Sequence, residues 1–194
     1  SILGSYNAIL KGERIAINFL QTLSGTATTA NLMSLKIKRY KTKIFDTRKT
    51  IPGLRIAQKY AVKLGGAFNQ RLGLYDQVLI KENHIKSYNN ITTILNATKK
   101  KYSLKEIQIE VENIKELNEA INFGVKNILL DNFSLKELTK AVKINKTRAV
   151  LEASGNINID NIISYAKTKV DRISIGALTK NIKAVDFSMN IEIN

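Results

Sequence analysis

The feature that most constrains this chain is a regular alternation of short apolar runs with helix-period segments. Strand-like runs fall at KIFDT (43–47), QVLIK (77–81), EIQIEVEN (106–113), KNILLDN (126–132), RAVLEAS (148–154) and DRISIG (171–176). Helical patterns lie around and between them. The first runs from Lys11 to about Met33, with Ile15, Phe19, Leu20 and Leu23 on one face and Glu13 in its first turn. Others run from Leu54 to Leu64, closed by Gly65-Gly66, from Tyr88 to Lys101, and from Ile114 to Phe123, stopped by Gly124. Two more run from a Ser134 cap to about Val142 and from Ile159 to Lys167. Residues before Lys11 read as a short extended piece, and those after Gly176 as helix or irregular chain. β–α alternation of this kind implies parallel strands joined by crossover helices. The length permits six or seven such units, enough for a barrel-like sheet, and a doubly wound open sheet also satisfies the pattern. No G-x-G-x-x-G follows the first strand, which argues against a dinucleotide-binding domain.

Composition narrows the class further. A chain of 194 residues, 44% hydrophobic, suits one domain with a sizeable core. With no cysteine, disulfides, a zinc finger and thiol catalysis are excluded. No apolar run approaches a membrane span and no leader pattern is present, so a cytoplasmic protein is expected. The net charge of +15 invites a nucleic-acid reading. The excess is mostly scattered lysine, however, and no aromatic-interleaved basic strip, RNP motif or helix-turn-helix pattern accompanies it. No nucleic-acid partner is therefore expected.

Polar residues gather at the strand ends. Asp46 with Arg48 and Lys49, then Lys81, Glu110, Asp131, Glu152 with Ser154, and Gly176 each close a strand-like run. In a β/α barrel those ends meet on one face, which carries the active site. Arginine and lysine suit carboxylates and phosphates. Glu110 and Asp131 suit Mg²⁺, which takes few protein ligands and prefers substrate oxygens. Turns at Ser154-Gly155 and Gly176-Ala177 suit a phosphate. The mixture points to a multiply anionic, phosphorylated substrate.

These residues also carry a family resemblance. The segments ERIAINFLQTLSGTAT (13–28), DTRKTIPGLR (46–55), KYAVKLGG (59–66), RLGLYD (71–76), LIKENHI (79–85), EVEN (110–113), ILLDN (128–132), LEASGNI (151–157) and SIGALT (174–179) resemble the quinolinate phosphoribosyltransferases in order and spacing. A molybdenum-associated family shares part of the pattern. The resemblance implies an α/β fold, an incomplete (β/α) barrel with parallel strands over 11–194. Residues 1–10 would be the tail of an N-terminal domain that the chain lacks. Because the chain starts at Ser1, it reads as part of a longer product. The implied reaction joins quinolinate to phosphoribosyl pyrophosphate with Mg²⁺ as cofactor, giving nicotinate mononucleotide, pyrophosphate and CO2 in NAD biosynthesis. Dimers or larger assemblies, with each site completed by a neighbouring subunit, are implied too.

Carried onto this chain, the resemblance gives Arg48, Gln70, Arg71 and Lys81 to the quinolinate carboxylates. Arg14 would reach a site across the dimer. Lys49 would contact phosphoribosyl pyrophosphate or the departing pyrophosphate. Glu110 and Asp131 would hold ribose hydroxyls or Mg²⁺ and offset transition-state charge, and Ser154, Gly155, Gly176 and Lys180 would receive the 5′-phosphate. The chain departs from the pattern where Gln70 and Lys180 stand in place of histidines, and Glu82 in place of aspartate. Glutamine still donates to a carboxylate, but carries no charge near neutral pH. The lone His84 fits a loop-orienting role at least as well as a catalytic one. An inactive barrel serving as an interaction subunit is the competing reading.

Overall fold

A computed structural model describes residues 2–190. Six strands form one parallel sheet: β1 (Lys43–Phe45), β2 (Val78–Ile80), β3 (Ile107–Val111), β4 (Asn127–Asp131), β5 (Val150–Ser154) and β6 (Arg172–Ser174). Their order across the sheet is β1-β6-β5-β4-β3-β2, with every pairing parallel. The first strand therefore pairs with the last, as in a barrel, and the seam between β1 and β2 is left open. Among the described residues, only an isolated bridge from Phe45 to Phe68 lies on that flank of β1.

The strands alternate with period two, and this alternation builds the site. Ile44, Ile80, Ile107, Ile109, Val111, Ile128, Leu130, Leu151, Ala153 and Ile173 all belong to the buried hydrophobic core under the helices. The intervening positions are largely polar: Gln108, Glu110, Asp131, Glu152, Ser154 and Ser174. The strands are thus apolar toward the helices and polar toward the barrel interior. Glu152, expected at a strand end, sits in the middle of β5 and is 1% exposed.

Helix α1 (Tyr6–Lys36) starts earlier than expected. Ser5 caps it by accepting from the Ala8 N–H, so residues 6–10 are helical rather than extended, and Glu13 falls past the first turn. Helix α2 (Arg55–Leu64) packs closely on α1: a side chain at Gly65 would collide with Ala27 O and lie 2.7 Å from Ala30 Cβ. The helix expected over 88–101 is the shorter α4 (Ile91–Thr98), and a helix not expected from the sequence, α3 (Glu82–Ser87), precedes it. The break is physical. Asn89 adopts φ 67°, and Asn90 restarts the helix by accepting from Thr93 N at 2.8 Å. Helices α5 (Ile114–Phe123), α6 (Leu135–Asn145), α7 (Ile162–Lys167) and α8 (Ala177–Lys180) complete the alternation. α7 begins after the Asn158–Asn161 turn rather than at Ile159, because Asn158 Oδ1 accepts from Asp160 N and Asn161 N.

Candidate active site

The C-terminal strand ends surround a cavity of about 240 Å³. Arg48, Lys49, Gln70, Arg71, Lys81, Glu110, Asp131 and Ser154 line it, together with the interior residues Glu152 and Ser174. A second cavity of about 410 Å³ adjoins it through Thr47, Lys49, Asp131, Ser154 and Ser174, and extends to Gly155, Gly176 and Lys180. Apart from Arg14 and Asp46, the candidate site residues therefore line one or other of these two adjoining cavities. Arg14 is exposed on α1 and lines neither cavity.

The first lobe is a cation cluster. Arg71 is 8% exposed and donates to Gln77 O at 2.8 Å. Burial pulls its pKa down, the positive charge of Arg48 adds to that, and Asp76 and Glu110 pull the other way. Two guanidinium groups lining one cavity favour an entering anion. Lys81 Nζ lies 2.8 Å from Glu110 Oε2. This pair couples a residue expected at the substrate carboxylates to one expected at the ribose or metal.

The floor of the lobe is a buried polar network. Glu152 accepts from Gln70 Nε2 and, at 3.0 Å, from Gln108 Nε2. Burial raises its pKa, and hydrogen bonds from Gln108, Ser174 and Gln70 partly offset the rise. Gln70 therefore does more than fill a histidine position, because its amide bridges the cavity wall to a carboxyl inside the barrel.

The second lobe is built from turns. Gly155 has φ 107°, and a side chain there would collide with Asn132 Oδ1. A Cβ on Gly176 would sit 3.1 Å from Lys49 Cδ and 3.9 Å from Lys180 Cε, so the two lysine stems converge above this glycine. Thr179 Oγ1 donates to Lys49 O at 2.7 Å, and Gln58 donates to Thr179 O and accepts from Ile51 N, both at 2.8 Å. The Lys49 loop is thereby locked to α8.

Three supports had no role assigned from sequence. Gln58 is one. Arg55 donates to Thr50 Oγ1, Arg48 O and Leu72 O at 3.1, 3.0 and 3.3 Å, tying the two arginine-bearing loops together. Lys59 is the third, buried against Asp46 at 2.5 Å. Asp46, grouped with the pocket cations from sequence, faces Lys59 on α2 and lines neither cavity. It points away because the period of β1 sends Ile44 and Asp46 toward the helices. His84 accepts from Lys81 N at 3.0 Å and so braces the start of α3. Glu110 and Asp131 line the same lobe, and among the described residues no cluster of three or more histidine, cysteine or carboxylate ligands occurs. Two carboxylates with open cavity beside them fit a Mg²⁺ carried mainly by substrate oxygens.

Comparison with known proteins agrees with this geometry. A "Probable nicotinate-nucleotide pyrophosphorylase (carboxylating)" of Methanocaldococcus jannaschii is 43% identical over 197 residues, covering 97% of this chain and 70% of that protein. A protein of the same name from Synechocystis is 40% identical over 196 residues, covering 98% and 66%. The solved nicotinate-nucleotide pyrophosphorylase from Francisella tularensis superposes with a TM-score of 0.90 at 51% identity, covering 93% of this chain and 65% of that one. The chain thus spans about two thirds of the length of these relatives. The family described as "Quinolinate phosphoribosyl transferase, C-terminal domain" matches residues 26–190, and the chain belongs to that family.

Proposed function

We propose that this chain is the catalytic barrel of an enzyme that transfers a phosphoribosyl group from phosphoribosyl pyrophosphate to quinolinate, with decarboxylation, in NAD biosynthesis. One observation carries the reading: a cation-lined lobe opens directly into a turn-built lobe, with Lys49 and Asp131 shared at the junction. A dicarboxylate and a phosphorylated sugar need that division of space. The names of the family and of its relatives support the same substrates.

In this reading Arg48, Arg71 and Lys81 hold the two quinolinate carboxylates, and the second N–H of the Gln70 amide adds a neutral donor. Ser154, Gly155, Gly176 and Lys180 hold the 5′-phosphate. The ring nitrogen then faces C1′ of the ribose. The nitrogen–carbon bond forms as the C1′–oxygen bond breaks and pyrophosphate departs past Lys49. Positive charge on the sugar is offset by Glu110 and Asp131, already fixed in the cavity wall. Mg²⁺ bound by these carboxylates and the pyrophosphate would neutralise the leaving group. As CO2 leaves, the bonding pair stays on the ring carbon, where the adjacent positively charged nitrogen of the adduct stabilises it, and a proton then takes the place of the lost carboxylate.

The assembly we propose is a dimer or larger. Ile15, Phe19 and Leu20 on α1, Ile56, Tyr60 and Leu64 on α2, and Leu74 and Tyr75 are all exposed apolar side chains. A second copy covering α1 would bring Arg14 toward a neighbouring cavity. Among the described residues no helix is long and apolar enough to cross a membrane, and we assign the enzyme to the cytoplasm. Incubation of the intact protein with quinolinate, phosphoribosyl pyrophosphate and Mg²⁺ should yield nicotinate mononucleotide. Failure to form it, with substrates unchanged, would overturn the reading in favour of an inactive barrel.

A further inference from the structure

We propose that the buried Lys59–Asp46 pair is a positioning device, standing in for a missing strand at the open seam and holding Gln70 and Arg71 against the dicarboxylate lobe. The proposal rests on the functional reading above for the identity of the ligand.

The two flanks of β1 differ. One pairs with β6 through all three residues of the strand. On the other, among the described residues, the ladder is limited to Phe68, whose N–H donates to Ile44 O at 2.8 Å and whose carbonyl accepts from Asp46 N at 3.0 Å. Beyond Phe68 the chain leaves the ladder, and its backbone groups need other partners.

Side chains supply them. Asp46 Oδ1 accepts from the Gln70 N–H at 2.8 Å, and Lys59 Nζ donates to the Gln70 carbonyl at 2.7 Å. Both backbone groups of Gln70 are therefore bonded to the two halves of one ion pair. Asn69 completes the clasp, donating to Asp46 Oδ2 at 2.6 Å and to Lys59 O at 2.9 Å. Lys59 and Asp46 are 3% and 0% exposed, and they belong to α2 and to the end of β1. Neither lines the substrate cavities, whereas Gln70 and Arg71 both do. Lys59 lines a separate cavity on the other side of Gln70 and Arg71, and the pair reaches the two proposed substrate lobes only through that loop.

Stability alone does not account for a charge pair here. Burying two ions is expensive, and an apolar pair of similar volume commonly folds as well. What an apolar pair cannot do is bond both the N–H and the C=O of Gln70. The pair therefore fixes the height and orientation of the loop, which sets where Gln70 and Arg71 meet a carboxylate. A displacement of about 1 Å at a positioned group costs as much as a hundredfold.

The test is calorimetry with quinolinate and, separately, phosphoribosyl pyrophosphate, on the intact protein and two variants. The double variant Lys59→Met/Asp46→Leu removes both charges together, which protects folding. The variant should fold with a melting temperature lowered by the lost partners of Gln70 and Asn69, while quinolinate binding weakens by roughly tenfold to a hundredfold. Phosphoribosyl pyrophosphate affinity should change by no more than about twofold, since its lobe shares no partner with the pair. Asn69→Ala leaves the ion pair in place and removes only the clasp, so it carries the test if the double variant does not fold. It should weaken quinolinate severalfold with the same selectivity. Variants that bind quinolinate as tightly as the parent, or that lose both ligands equally, overturn the proposal. Absence of quinolinate binding by the unaltered protein overturns the functional reading itself, and this proposal with it.

Discussion

Lys81 Nζ and Glu110 Oε2 lie 2.8 Å apart, so the cation we propose for the substrate and the carboxylate we propose to offset charge on the sugar neutralise one another before any ligand arrives. Lys81 is 45% exposed, which keeps the strength of the pair modest, at about 1 kcal/mol or less. Removing the carboxylate should have opposite effects on binding and on turnover. In Glu110→Gln, quinolinate should bind about two- to fivefold more tightly, because Lys81 is freed for it. The rate of transfer should fall by roughly a hundredfold, because charge on the sugar is no longer offset. Calorimetry and single-turnover rates measure the two separately. Weaker quinolinate binding would show that Glu110 orients Lys81 rather than competing for it.

Glu152 sets a pH dependence of stability. Burial holds its pKa above the ordinary glutamate value, so the folded protein binds this proton more tightly than the unfolded chain. Its contribution is full below the unfolded pKa and is lost as pH rises through the folded one. Glu152→Gln keeps the shape and removes the titration. Melting temperatures across pH 4 to 8 should fall less steeply toward high pH in the variant than in the parent. Identical slopes would mean that Glu152 titrates alike in both states.

Gln70→His changes the character of the same contact. An imidazole beside Glu152 gains a carboxylate partner, so its folded pKa rises above the unfolded value of about 6.5. The stabilisation is complete below that value and disappears as pH rises through the folded pKa. Quinolinate should also bind more tightly at pH 6 than at pH 8, a dependence that Gln70 cannot provide. Titration of quinolinate at the two pH values checks it, and a flat response would place the new imidazole away from the ligand.

Much of this architecture was readable in the chain, and the exceptions share a cause. Strand periods and helix caps are local, so the β–α order emerged with its candidate residues at the strand ends. The break at Asn89 had a local signal, the Asn89-Asn90 pair, that was outweighed by the apolar pattern around it. Lys59, Gln58 and Arg55 had no such signal. On sequence they decorate an amphipathic helix, and only the open seam turns them inward onto loops. Asp46 is separated from Lys59 by 13 residues and from Gln70 by 24, and nothing local links them. Glu152 stands out in the sequence, but its burial depends on the strands that pack around it. Supports that act through another residue are the part of a site that single-sequence reading is least able to find.

Gly155 offers a test of the division into two lobes. Its φ of 107° lies in the left-handed range, and a side chain would collide with Asn132 Oδ1. Asn132 itself has φ 55° and its side chain donates to Asp131 Oδ2 at 2.8 Å, so it cannot yield without disturbing a shared junction residue. Gly155→Ala should therefore cost roughly 1–3 kcal/mol of stability through backbone strain, read as a lower melting temperature. Its kinetic signature should be selective. KM for phosphoribosyl pyrophosphate should rise by at least about tenfold, because a 1 Å shift of a phosphate-binding turn is costly. KM for quinolinate should stay within about twofold, since Arg48, Arg71 and Lys81 share no partner with Gly155. A comparable rise in both constants would show that the two lobes move as one unit, and would remove the basis for assigning separate substrate groups to them.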